Sequence, residues 1–106
     1  MADMQIAKTI LEQLGGNQFL AMTGAKNLTS GENFLSFRLP MKTRDGANYW
    51  KIKLMPSDTY DIETMSVRGL KVTPKTQKYN IYNDQLRGIF EDITGLRTSL
   101  TKVYGR

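Results

Sequence analysis

The chain has 106 residues, 40% hydrophobic and 24% charged, with a net charge of +5. That is the length of one domain, apolar enough for a core and without the composition of a disordered chain. It holds neither cysteine nor histidine, which excludes a disulfide framework, thiolate metal sites and histidine acid–base chemistry, and leaves only carboxylates for a hard ion.

The first predicted element is a helix over 4–14. Ile6, Ile10, Leu11 and Leu14 form one apolar stripe, Asp3 stands at the N-cap, and the glycines at 15–16 stop the helix. From Phe19 the segments "FLAMTGA" and "NFLSFRLP" read as two strands of a hairpin, joined by the polar turn cluster "KNLTSGEN". In the second segment Leu35, Phe37 and Leu39 alternate with Ser36 and Arg38, and Pro40 closes it. A polar loop "MKTRDGAN" follows, with a turn at Asp45–Gly46.

"NYWKIKLMP" predicts a third strand. Alternation sends Trp50, Ile52 and Leu54 to one face and Tyr49, Lys51 and Lys53 to the other. The tryptophan therefore belongs to the core, while the tyrosine and lysines form a surface. "TYDIETMSVRG" predicts a fourth strand whose apolar phase slips between Ile62 and Met65, with a β-bulge expected near Glu63–Thr64. A short edge strand is expected at 70–73, ended by Pro74 and guarded by lysines. A last helix over 84–94 carries Leu86, Ile89, Phe90 and Ile93 on one stripe, with Asn83 as N-cap and a Schellman-like close at Gly95–Leu96.

The predicted fold is α+β: an antiparallel sheet of four to five strands with both terminal helices packed on one face, in two layers. Residues 1–96 form the single domain, and 97–106 are expected to be a basic, flexible tail. Neither a signal-peptide run nor a span of ~20 apolar residues is present, so a cytoplasmic protein without a membrane partner is expected.

The positive charge gathers in the middle third. Residues 41–78 carry eight basic side chains (Lys42, Arg44, Lys51, Lys53, Arg68, Lys71, Lys75, Lys78) against four acidic ones. With Tyr49 these eight are the candidate nucleic-acid contacts, acting on DNA or RNA through phosphates rather than base edges. The plainer reading of the same residues is a solvated sheet face with protected edges. Neither "LGGNQF" nor "MTGAKN" has phosphate-loop spacing. Asp58, Asp61 and Glu63 read as partners of cross-strand lysines rather than as a metal site. No nucleophile–base pair can be assembled, so no catalytic residue, metal or cofactor is assigned, and the expectation is a non-enzymatic binding protein.

Three stretches carry a resemblance: "AKTILEQLGGNQFLAMTGAKNL", "LMPSDTYDIE" and "YNDQLRGIFEDITGL". On them the chain is similar to small proteins of bacteriophages and prophage-like elements for which no activity is established. Many such proteins have a more basic loop where this chain carries Asp45. The resemblance implies a phage-related setting in a bacterial cell and brings no catalytic residue with it. The alternative expectation is an interaction or inhibitor module that sets the basic face against a host bacterial protein complex.

Overall fold

The computed structural model describes residues 4–40, 43–96 and 98. In chain order these form α1 (Met4–Leu14), α2 (Gly16–Thr23), β1 (Lys26–Ser30), β2 (Phe34–Arg38), β3 (Tyr49–Leu54), β4 (Tyr60–Arg68), β5 (Lys71–Ile81) and α3 (Leu86–Thr94). The five strands make one antiparallel meander in the order β1-β2-β3-β4-β5, and the fold is α+β.

Alternation divides the sheet. Leu35, Phe37, Leu39, Trp50, Ile52, Tyr60 and Ile62 point to one side and are buried there with Ile10, Leu14, Phe19, Leu86 and Phe90 from the helices. Aromatic rings hold the centre. Phe19 meets Phe37 and Phe90 edge-on at 5.4 and 5.1 Å, and Trp50 lies 4.9 Å from Phe90. The Tyr60 hydroxyl donates to Gln13 Oε1 at 2.7 Å and ties β4 to α1. Burial pushes that phenol's pKa up, against the Gln13 hydrogen bond, and the nearby Asp58 charge adds to the rise.

Four expectations about the strands need correction. "FLAMTGA" does not form a strand but belongs mostly to α2. Phe19 and Thr23, four residues apart, are both buried, and the Thr23 hydroxyl donates back to the Phe19 carbonyl. Short helical spacing thus prevails over an apolar run that could equally suit a strand. The polar "KNLTS" is not a turn but β1, an edge strand paired with β2. It carries little apolar signal because it is exposed along most of its length.

The third correction concerns the bulge. β4 keeps one phase throughout, burying Tyr60, Ile62, Thr64 and Ser66. The apparent slip arose because two of its inward residues are polar. The extra residues are in β5, where Met65 pairs with Pro74 but Thr64 with Thr76, and Tyr60 pairs with Ile81 but Ile62 with Lys78. Fourth, β5 does not stop at Pro74 but runs eleven residues through it. An edge strand tolerates a residue with no N–H, and with two bulges and exposed lysines this edge is poorly suited to pairing with another chain.

α3 begins two residues later than expected. Gln85, not Asn83, precedes it, and Gln85 Oε1 accepts from the Tyr82 amide at 3.0 Å. Gly95 ends α3 at φ 75°, its amide bonded to the Glu91 carbonyl at 2.8 Å. That single bond is the simpler left-handed close rather than the Schellman pair. The expected tail, 97–106, lies outside the described residues except for Thr98. This residue is buried, and both its amide and its hydroxyl donate to Glu91 Oε2, at 2.9 and 2.8 Å.

Candidate functional site

Tyr49, Lys51 and Lys53 stand on the face of the sheet opposite the core, half-buried. The register sets Lys51 between Ser36 and Glu63, and Lys53 between Phe34 and Asp61. Each lysine thus faces a carboxylate across the β3–β4 pair, and the Lys51 ammonium lies 4.7 Å from the centre of the Phe34 ring. This patch is close to neutral, as cross-strand charge pairing requires.

The loop between β2 and β3 is built on Asp45. Its Oδ1 accepts from the Ala47 amide at 3.1 Å and from the Thr43 hydroxyl at 3.0 Å. Its Oδ2 accepts from the hydroxyls of Thr64 and Thr76 at 2.7 and 2.9 Å. Thr64 Oγ1 in turn accepts from the Thr76 amide at 2.9 Å, so the carboxylate clasps β4, β5 and its own loop together. Burial pulls the Asp45 pKa upward. The hydrogen bonds from Thr64, Ala47, Thr76 and Thr43 outweigh it and hold the group below its usual value of 3.8.

Asp45→Ala is expected to cost about 2–4 kcal/mol, because it removes charge-assisted hydrogen bonds and strands partly buried hydroxyls. A lowered folded pKa means that the ionised form contributes stability above the unfolded value, and that this is lost as pH falls through the folded one. The gap between wild type and Asp45→Asn, from urea unfolding, is therefore expected to be widest near neutrality and to shrink in acid. A gap that stays constant down to pH 2 would remove Asp45 as the clasp.

Arg44, beside it, is committed to α3. Its amide donates to the Thr94 carbonyl at 2.8 Å, its Nη1 donates to the Asp92 carbonyl at 2.9 Å, and the Asp92 carboxylate lies 3.9 Å away. A cation at a helix C-terminus is favourable by the helix dipole, so Arg44 locks the loop in place. Lys42 lies outside the described residues.

The same loop floors an open groove of about 630 Å³ at one end of the sheet. Its walls include Lys26 at the start of β1, Arg38 at the end of β2 and Arg68 at the end of β4, and among the described residues no carboxylate lines it. Lys26 pairs directly with Arg38 across β1–β2, and Arg68 with Lys71 across β4–β5. Lys75, at a β5 bulge, crosses Gly46 in the groove floor, with its Nζ 3.8 Å from where a Cβ would stand. Lys78 sits further along β5, exposed, opposite Ile62.

The meander thus sorts the charge. Strand ends carrying Lys26, Arg38, Arg68 and Lys71 meet at one end, where the one acid of the joining loop, Asp45, is turned onto Thr64 and Thr76, while the turns holding Glu32, Asp58 and Asp84 lie at the other. Sequence reasoning named Arg68, Lys71 and Lys75 but missed Lys26 and Arg38, which lie in a stretch of zero net charge. Only strand pairing brings them together. The chain matches no family model, no curated protein and no solved structure.

Proposed function

We propose that this is a small, phage-related, non-enzymatic protein that binds nucleic acid by its phosphates, through the basic end of the sheet. The observation that carries this reading is the doubled like-charge pairing. Cations set directly opposite one another destabilise a sheet, yet Lys26–Arg38 and Arg68–Lys71 occur at the same end. Lys26, Arg38 and Arg68 line one groove, in which no carboxylate is found among the described residues. A phosphate backbone drawn along that groove relieves the repulsion and releases counterions. The near-neutral Lys51–Glu63 and Lys53–Asp61 patch supports a lesser role for the face of β3.

The test is the salt dependence of binding to short duplex and single-stranded oligonucleotides. Replacing Arg38 and Arg68 together by glutamine is expected to flatten the log–log slope by about two contacts, at roughly 0.9 each for duplex. Replacing Lys51 and Lys53 in the same way is expected to change it much less. Relief of the like-charge pairs should leave the Arg38→Gln, Arg68→Gln protein as stable as wild type or slightly more so. No binding at 50 mM salt, or a slope indifferent to the arginines, would turn the reading towards an acidic surface on a host protein.

A further inference from the structure

The β4–β5 hairpin runs past the rest of the sheet. β3 stops pairing at Met65, opposite Tyr49. Beyond it Ser66, Val67 and Arg68 continue against Thr73, Val72 and Lys71 of β5. Ser66 is still buried, so the two outer pairs at about 3.3 Å per residue make a projecting arm roughly 7 Å long. Asn48 braces its base, since its side chain accepts from the Val67 amide at 2.8 Å and donates to the Val67 carbonyl at 3.0 Å. Gly69 and Leu70 form the tip. Of the two only Gly69 has a positive φ, 60°, as a tight type II′ turn requires.

The arm has two unlike faces. Val67 and Val72 lie opposite each other on one, and Arg68 and Lys71 on the other. Leu70 at the tip is fully exposed, at 104%, and Val72 is 56% exposed. A single exposed leucine is ordinary on a protein surface. This one is held at the end of a braced ribbon, directly between two cations.

We propose that this arm enters the minor groove of duplex DNA and that Leu70 wedges between adjacent base pairs while Arg68 and Lys71 hold the flanking phosphates. The proposal rests on the nucleic-acid reading above and adds to it the duplex, the groove and the bend. Aliphatic wedges flanked by basic residues are the means by which minor-groove proteins unstack a base step and kink the helix. Single strands are held instead on aromatic platforms, and residues 66–73 include no aromatic side chain. The exposed tyrosines, Tyr79 and Tyr82, lie towards the opposite end of the sheet.

Leu70→Ser tests this because it keeps every charge and alters a fully exposed site, so its unfolding midpoint should match wild type. The probe is a duplex of about 25 base pairs with a central, easily kinked TA step and a dye at each end. The wild-type protein is expected to bind it and raise energy transfer between the ends. Leu70→Ser is expected to bind about tenfold more weakly, to leave energy transfer unchanged, and to keep the wild-type salt slope because its phosphate contacts remain. If Leu70→Ser bends and binds the duplex like wild type, the wedge is overturned and the phosphate reading survives. If wild type binds no oligonucleotide at 50 mM salt, both fall. If Leu70→Ser instead loses binding to vesicles containing about 30% phosphatidylserine, with duplex affinity intact, the tip is a membrane-surface anchor and the wedge is again overturned.

Discussion

Trp50→Ala is expected to lower stability by about 3–5 kcal/mol, the range for truncating a large buried aromatic. The indole is wholly buried, packed against Phe90 at 4.9 Å and stacked parallel to Phe37 at 6.2 Å. Both of those rings touch Phe19, so the cavity would open in the middle of an aromatic cluster that joins α2, α3 and the sheet. A domain of this size commonly has only about 5–15 kcal/mol in total, and the variant is therefore expected to unfold at far lower denaturant. Wild-type tryptophan emission should lie well to the blue of an exposed indole. Emission typical of water, or an unfolding curve for Trp50→Ala that overlays wild type, would contradict this packing.

Ending the chain at Ile81 is expected to abolish cooperative unfolding altogether. Doing so removes α3, with the buried Leu86, Phe90 and Ile93, and leaves Phe19, Phe37 and Trp50 facing water on one side. It also removes the Thr94 and Asp92 carbonyls that hold Arg44, and with them one anchor of the loop that floors the groove. Near-UV circular dichroism and a urea titration of the shortened chain are the measurements. A sharp transition with a native aromatic spectrum would show that the two-layer packing is not what stabilises the sheet.

Much of the fold was legible in the residues because periodicity reports burial directly. The bounds of α1, the inward set Leu35, Phe37, Trp50 and Ile52, and the apolar stripe of α3 all follow from spacings of 3.6 or 2. The misread parts share one cause: the burial pattern was absent or ambiguous. Phe19 to Thr23 is too short for its apolar residues to separate helix from strand. β1 is nearly all polar and becomes a strand only because β2 offers it backbone partners. In β4, Thr64 occupies a core position as a hydrogen-bonding residue, to Asp45 and the Thr76 amide, and Ser66 is a second small polar residue buried on the same face, so the alternation continued where the hydropathy did not.

The candidate site divides in the same way. The sequence by itself determined that the protein is a basic α+β domain with Trp50 inside, without thiol or imidazole chemistry, and with Arg68, Lys71 and Lys75 on or beside an edge strand. Side-chain type and local period suffice for that. Only the tertiary structure decided that Lys51 and Lys53 face Glu63 and Asp61, that Asp45 clasps Thr64 and Thr76, and that Lys26 and Arg38 join Arg68 around one groove. Those partners are separated by up to some forty residues in the chain. Charge at such separations is brought together by strand register, which is a property of the paired backbone rather than of any local stretch of sequence.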